Sequence, residues 1–208
     1  RAYLPWGIRV PALVARPEAT IPILAALHTD PSDYVRRSVA NHLNDIARHD
    51  PELVVETAAV WIDAATAQGD AERLARTQWV VKHGLRTLVK KAHPGALSLL
   101  GFEPVTVSVS APTISTPVVT LPGSLAFEFS VVNTGATAAK LAVDFVVHYR
   151  KANGTLSDKV FKLAAVTLEP DESKSFSKSH GFRQMTTRVH YAGEHALELQ
   201  VNGVRSGL

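Results

Sequence analysis

Residues 94 to 110, PGALSLLGFEPVTVSVS, contain the point at which the character of the chain changes. Up to Phe102 the apolar residues recur with helical spacing, whereas VTVSVS at 105 to 110 alternates apolar and polar residues as a β-strand does. A length of 208 residues also suits two domains of ordinary size. We therefore expect a helical domain at 1–103 and a β domain at 104–208.

Prolines mark helix starts throughout the first half, and acidic residues follow several of them closely, as the first turn of a helix prefers. These prolines are Pro17, Pro31, Pro51 and Pro94. The pattern predicts helices near 18–28, 32–48, 51–67 and 70–92, and a last helical turn at 94–100. Two strongly amphipathic segments, which begin at Val35 and Trp79, lie about 45 residues apart, a spacing typical of an α-α solenoid of HEAT-like repeats.

In the second half, turn signals such as Asn153-Gly154 and Asn202-Gly203 recur at strand-length intervals. Strands are predicted at 105–110, 117–120, 125–132, 141–150, 160–168, 173–178, 187–190 and 195–201. Seven or eight short strands in about 100 residues indicate an antiparallel β-sandwich.

Composition excludes several classes of protein. The chain is 46% hydrophobic and contains no apolar run near the roughly 18 residues of a membrane span. It contains no cysteine, which excludes a disulfide framework, a thiolate metal site and a cysteine nucleophile.

The first residue is Arg1 and no leader precedes the first helix, so we expect a stretch from within a longer, non-secreted protein. The net charge of +3 is shared evenly by the two halves, so only the local placement of charge is informative.

One side of the predicted helix at 35–48 is polar. The apolar residues gather on the other side, which we expect to be core. Two cations, two amides and one carboxylate share the polar side, namely Arg37, Asn41, Asn44, Asp45 and Arg48. A solvated face with internal pairs, such as Asp45 with Arg48, is the alternative interpretation.

The stretch from Arg73 to Lys91 contains six arginines and lysines and no acidic residue, whereas a solvated helix usually mixes both signs. Its predicted polar side carries Trp79, His83, Arg86 and Lys90. Phosphates bind Arg and Lys, and an aromatic ring offers a stacking plane, so this face favours nucleic acid. Packing of Trp79 against a neighbouring helix is the alternative, and Trp61, among apolar residues, is expected in the core.

Five segments resemble one known family. LPWGIR at 4–9, YVRRSVANHLNDIARHDPELV at 34–54 and WVVKHGLRTLVKKAHPGALSLLGF at 79–102 are similar to the AlkC branch of the DNA alkylation repair glycosylases. VHYRKANGTLSDKVFKL at 147–163 and TTRVHYAGEHALELQVNG at 186–203 resemble the immunoglobulin-like domain that follows the HEAT-like repeats in that branch. The resemblance implies a HEAT-like solenoid followed by an antiparallel immunoglobulin-like β-sandwich.

The resemblance also implies roles for individual residues. Asp45 is the expected catalytic carboxylate, and Trp6 is expected to contact the lesion. The further catalytic glutamates of the family precede the LPW segment and lie outside this sequence, so we expect it to contain part of an active site. With the two polar faces, the expected DNA contacts are Arg36, Arg37, Asn41, Asn44, Arg48, Trp79, Lys82, His83, Arg86, Lys90 and Lys91.

Basic residues also concentrate in two parts of the predicted sandwich. They are Arg150, Lys151, Lys159 and Lys162, and then Lys174, Lys178, Arg183, Arg188, His190 and His195. A clamp on the DNA would use the loop TTRVHYAGEH, with contacts at Arg188, His190 and His195, whereas a solvated spacer domain is the alternative. No third ligand is suitably spaced from the two histidines, so no metal site is expected.

The implied function is excision of cationic alkylated bases, such as N3-methyladenine and N3-methylcytosine, from double-stranded DNA in base excision repair. Asp45 would stabilise an oxocarbenium-like sugar. We expect no cofactor, no membrane partner, a monomer, and a bacterial cytoplasmic location at the nucleoid. A non-catalytic helical scaffold that binds DNA or protein is the competing hypothesis.

Overall fold

The structure is a computed structural model that describes residues 7, 8, 10–183 and 189–206. It divides the chain into two compact units, 1–100 and 101–208, each with a hydrophobic core of its own. The first unit is helical and the second consists of antiparallel sheets, which confirms the predicted order. Among the described residues, no helix has the length and apolar content needed to cross a membrane.

The helical unit contains seven helices in its described part. They are α1 Pro11–Ala15, α2 Ile21–Leu27, α3 Asp33–Ile46, α4 Pro51–Gln68, α5 Ala71–Gly84, α6 Arg86–Lys90 and α7 Pro94–Leu99, with a 3₁₀ turn at Pro17–Thr20. The predicted helix at 18–28 is thus a 3₁₀ turn followed by a short helix.

Local capping defines the boundaries of α4 and α5. Pro51 begins α4, where its missing N–H costs no hydrogen bond, and the Asp50 carboxylate accepts the N–H of Leu53. Gly69 ends α4 in the left-handed conformation, with φ of 69°. The Asp70 carboxylate then accepts two backbone N–H groups of the first turn of α5. These signals are local in sequence, which is why the start and end of α4 and the start of α5 were predicted closely.

Trp61 lies in the helical core, as predicted, and is stacked on the buried ring of His28 with 4.3 Å between ring centroids. The Nδ1 of His28 lies 2.7 Å from the carbonyl of Ala25. Burial and the nearby Arg73 lower the pKa of His28, although the backbone hydrogen bond opposes them. His28 therefore contributes to the core as a neutral aromatic ring.

Helices α3 and α5 approach each other closely at Gly84. A Cβ added to Gly84 would lie 3.1 Å from the Cβ and 3.2 Å from the Cδ1 of Leu43. Gly84 also has low helix propensity, and the predicted single helix at 70–92 is interrupted at Leu85, where φ is −82° and ψ is −1°. The prediction of one continuous helix was therefore wrong, because the pattern did not show that a glycine was needed for helix packing.

The second unit contains eight strands in its described part. They are β1 Val107–Val109, β2 Thr113–Ile114, β3 Gly123–Asn133, β4 Ala139–Arg150, β5 Leu156–Leu168, β6 Ser173–Phe182, β7 Ala196–Val201 and β8 Val204–Arg205. In the first sheet β3 pairs with β1 and β2 on one edge and with β6 on the other. The second sheet has the order β5-β4-β7-β8. All pairs are antiparallel.

Alternating residues of the long strands form the core of the sandwich, as the period of two requires. On β4, Leu141, Val143, Phe145 and Val147 are all buried. The turn after β3 is held by the buried Asn133. Its Nδ2 donates to the carbonyls of Thr137 and Leu168, and its Oδ1 accepts the N–H of Gly135.

One predicted strand was placed wrongly, and a second is not found in the part of it that the structure describes. Residues 117–120 form no strand, and the pairing at this edge of β3 comes from Thr113 and Ile114 instead. Pro117 has no N–H to donate to a strand ladder, which disfavours pairing there. Of the predicted strand at 187–190, residues 189 and 190 are not in a strand and the other two lie outside the described residues.

The first prediction concerns the α3–α5 contact. Gly84→Ala should lower the free energy of unfolding by about 1–3 kcal/mol, because the added methyl group overpacks the contact with Leu43. Gly181→Ala is the matched control, since its nearest neighbour would be the Arg183 Nε at 3.9 Å. Urea unfolding followed by circular dichroism measures both variants. Equal stability of the two variants would show that the α3–α5 distance does not depend on Gly84.

Candidate nucleic-acid interface

Helix α3 carries the expected catalytic residue one position before its C-terminal end. Asp45 and its neighbour Asn44 are each only 4% exposed, whereas Arg37 and Arg48 on the same stripe are exposed. The predicted polar stripe is therefore only partly accessible, because two of its members are buried. The Oδ1 of Asn44 has no hydrogen-bond partner among the described residues, and such a buried acceptor costs about 1–3 kcal/mol.

The burial of these two side chains follows from the neighbours of α3. Helix α5 packs against the side that carries Ala40 and Leu43. On another side, the Oγ1 of Thr20 lies 3.5 Å from the Nε2 of the buried His42. A helical wheel gives angles around one helix but does not show how many of its sides are covered.

Trp79 is exposed on α5, with 39% of its surface accessible. Its ring stacks on that of His83, one turn later on the same helix, with 5.3 Å between centroids and 7° between planes. The ring plane of the histidine is thus fixed by a neighbour that is itself accessible to a ligand. An accessible, orientated aromatic pair is a suitable stacking surface for a base or sugar.

Arg86, at the start of α6, connects the two polar faces. Its Nη2 donates to the Oδ1 of Asn41 on α3 at 3.0 Å, and its Nη1 donates to the backbone carbonyl of His83 at 2.5 Å. The sequence predicted both faces as polar but did not predict this connection. Because Asn41 lies one turn before Asp45, Arg86 joins the end of α5 to the turn of α3 that precedes the expected catalytic residue.

Arg37, His83 and Arg86 form what we call the basic cluster, with one member each from α3, α5 and α6. The pKa of His83 is lowered, first by its burial and then by the positive charges of Arg86 and Arg37. The cluster therefore places two permanent cations near an imidazole that is neutral at neutral pH. Such a site attracts an anion.

The remaining predicted residues of the helical unit divide into two groups. Lys82, Lys90 and Lys91 are exposed and available to a partner. The Arg36 guanidinium instead hydrogen-bonds the carbonyls of Asp30 and Pro31 and pairs with Asp33, so it anchors the start of α3. Trp6 lies outside the described residues.

In the sandwich, the two predicted histidines are half-buried and hold the loop before β7. His190 Nε2 lies 3.1 Å from the carbonyl of Arg183, and His195 Nε2 lies 3.1 Å from that of Tyr191. The backbone N–H of Arg150 donates to His195 Nδ1 at 3.3 Å. These contacts give the histidines a structural role that the sequence did not indicate. Arg188, the third expected contact, lies outside the described residues.

Beside this loop is a largely apolar cavity of about 870 Å³. Its wall includes Val118, Leu121, Phe182, Tyr191 and His195. Nothing in the sequence pattern predicted it. Among the described residues, no group of three His, Asp or Glu side chains could hold a metal ion.

The second prediction compares a hydrogen-bonded arginine, Arg86, with an exposed one, Arg37. Arg86→Gln should lower the free energy of unfolding by about 1.5–3 kcal/mol, because hydrogen bonds made by a charged donor are lost. Arg37→Gln removes the same charge from an exposed side chain that has no hydrogen-bond or ion-pair partner among the described residues. It should change the free energy of unfolding by less than about 0.5 kcal/mol. Urea unfolding of both variants is the measurement. A loss for Arg37→Gln as large as that for Arg86→Gln would contradict this assignment.

Comparisons with known proteins support the same organisation. Residues 108–208 match the family model described as the C-terminal Ig-like domain of the uncharacterised protein YhaZ. The chain is 35% identical over 204 residues to the uncharacterized protein YhaZ of Bacillus subtilis strain 168, which covers 98% of this chain and 54% of YhaZ.

A solved structure is similar over the whole chain. It is Pseudomonas fluorescens alkylpurine DNA glycosylase AlkC bound to DNA containing an abasic site analog, with 35% identity and a TM-score of 0.90. The match covers 100% of this chain and 55% of AlkC, so the chain spans about half the length of both relatives. The resemblance to the AlkC branch is thus confirmed over the whole chain, and the second unit is similar to the immunoglobulin-like domain of YhaZ.

Proposed function

We propose that the protein to which this chain belongs is a DNA glycosylase that removes cationic alkylated bases. The observation that carries the proposal is that Asp45 is only 4% exposed, on a helix face that otherwise carries amides and exposed arginines. The similarity to a glycosylase solved on abasic DNA supports it. The helical unit would correspond to HEAT-like repeats, whose surface tracks the duplex.

The chemistry suits a buried carboxylate. N3-methyladenine and N3-methylcytosine carry a positive charge, so the base leaves with the electron pair of the N-glycosidic bond as a neutral molecule. The sugar that remains is oxocarbenium-like, and a carboxylate near its anomeric carbon stabilises that positive charge. Water then adds to the carbon and loses a proton. Asp45 would supply the stabilising charge and orient this water.

Aromatic rings would select the damaged base. The face of a tryptophan ring attracts a positively charged base more strongly than a neutral base. The difference is about 0.5–2 kcal/mol and is larger where water is excluded from the contact. By resemblance Trp6 would make this contact, and the exposed ring of Trp79 supports a similar role at a flanking nucleotide.

Phosphate contacts would provide affinity and register. In the helical unit we assign them to the exposed cations Arg37, Arg48, Lys82, Lys90 and Lys91. In the sandwich we assign a DNA contact to the loop that carries Arg188, which His190 and His195 hold through their backbone contacts, and the second unit would act as a clamp. We expect the protein to act as a monomer on genomic DNA in the bacterial cytoplasm.

A non-catalytic scaffold is the second candidate, and the exposed cations alone would also suit it. The two candidates differ in one outcome. A scaffold binds damaged and undamaged duplexes equally and never releases a base, whereas the proposed enzyme releases free N3-methyladenine from methylated DNA.

The third prediction tests the role of Asp45. In the full-length protein, Asp45→Asn should reduce the single-turnover rate of N3-methyladenine release by about 100-fold or more, because the charge that stabilises the sugar cation is removed. Asp63→Asn changes an exposed aspartate on α4 and is the matched control, with an expected rate like that of the wild type. Unchanged affinity for abasic DNA would show that Asp45→Asn still folds. Release by Asp45→Asn at the wild-type rate would refute the assignment.

A further inference from the structure

We propose that the free edge of β6 is a docking site for an extended, acidic segment of a partner protein, which adds to the first sheet as a further strand. The proposal does not depend on the proposed glycosylase function. It assigns to the second unit a protein-binding surface that is separate from the DNA contact of its loop.

Strand β6, Ser173–Phe182, lies at an edge of its sheet. Within the described part of the chain it pairs only with β3, along its whole length. Seven of its ten residues are exposed, so no other segment covers this edge. A long exposed edge presents unpaired N–H and C=O groups with which another strand can pair.

The hydrogen bonds of β3 show which backbone groups of β6 point outwards. The N–H of Ser110 donates to the carbonyl of Ser130, and the N–H of Ser130 donates to the Oγ of Ser110, each at 2.9 Å. Both backbone groups of Ser130 are thus directed away from β6. Its partner on β6, Ser175, is therefore in a non-hydrogen-bonded pair, and the N–H and C=O of Ser175 point away from β3.

Every second residue of β6 shares this orientation. The residues with outward backbone groups are Ser173, Ser175, Ser177, Ser179 and Gly181. For the described residues, no backbone hydrogen bond connects these groups to another segment. Their side chains are small and lie on the outer face of the sheet, so they leave room for a strand beside them.

The residues between them determine the chemistry of the partner. Lys174, Phe176 and Lys178 carry their side chains on the other face of the strand. Phe176 is buried and stacks on Phe129 with 5.2 Å between ring centroids, whereas both lysines are exposed. Neither lysine is paired with a carboxylate among the residues that the structure describes.

A strand added to β6 would place three of its side chains opposite Lys174, Phe176 and Lys178. Opposite charges directly across neighbouring strands stabilise a pair, and like charges destabilise it. The matching segment therefore has an acidic, an apolar and an acidic residue at alternate positions. Small residues stand between them, opposite the serines of β6. Backbone hydrogen bonds would give affinity and the alternate side chains specificity, as in other cases of strand addition.

Two other occupants fit the edge less well. If β6 paired with a second copy of itself about Phe176, Lys174 of one copy would lie opposite Lys178 of the other, and the like charges would repel. A DNA duplex would use the two lysines but would leave the outward N–H and C=O groups without partners. Lysines that serve only to prevent association are the simplest interpretation, and they predict that no strand binds.

The fourth prediction measures strand addition to the full-length protein. The probe is a short peptide, capped at both ends, with glutamates two positions before and after a central valine and serines between them. It should bind with a Kd below about 1 mM and should protect the outward N–H groups of β6 from hydrogen exchange. N-methylation of the two serines beside the valine should abolish binding, because their N–H groups would face β6. N-methylation of the valine, whose N–H would face away, should not.

Variants of the protein test the edge from the other side. Ser177→Pro removes one outward N–H but no hydrogen bond to β3, so it should remain folded and lose the peptide. Ser177→Ala, which keeps that N–H, is the matched control. Lys174→Glu combined with Lys178→Glu should weaken binding about tenfold or more. Lys151→Glu combined with Lys162→Glu changes the net charge equally at exposed lysines outside β6 and should bind like the wild type.

Four outcomes would overturn the proposal. The peptide does not bind at about 1 mM, or its affinity is unaffected by N-methylation of the two serines; neither result depends on the folding of a variant. An undamaged duplex displaces the peptide, which would assign the two lysines to DNA. The wild type self-associates and Ser177→Pro abolishes the association, which would assign the edge to a second copy.

Discussion

The close approach of α3 and α5 is the contact on which the arrangement of the helical unit depends. Gly84 has no side chain, and the space that a methyl group would need is taken by Leu43. Because these two helices are close, Arg86 can reach Asn41, which lies one turn before Asp45. The hydrogen bond between Arg86 and Asn41 thus joins two separate polar stripes into one candidate surface for DNA. The chemistry proposed for the protein requires this surface, since a carboxylate at the sugar needs phosphate contacts close by.

Much of the fold could be predicted because its signals are local. Proline and aspartate at helix starts, the change to alternating residues after Phe102 and the Asn-Gly turns are each readable from a few adjacent residues. The errors arose where tertiary structure decides. The break at Leu85 depends on packing against α3, and the strand at 113–114 rather than 117–120 depends on which segment meets β3.

The candidate residues could be listed from the sequence, but their arrangement could not. A helical wheel located Asp45 and Asn44 on a polar stripe, yet both are buried because α3 is flanked on more than one side. Arg36 and the two loop histidines were expected to face DNA, but their side chains bind backbone carbonyls of the protein. Charge in a sequence shows what a side chain can bind. It does not show whether the fold has already supplied the partner.

The central claim is that DNA binds at the surface around Asp45 and the basic cluster. A crystal structure of the full-length protein with a duplex containing an abasic analog tests it most directly. The account predicts that the Asp45 carboxylate lies within about 4 Å of the anomeric position, a distance suited to charge stabilisation in the reaction. A phosphate should contact Arg37 in the same complex. A duplex bound to another face, with Asp45 more than about 10 Å from the sugar, would contradict the account, since a carboxylate beyond a Debye length has little effect on the developing charge.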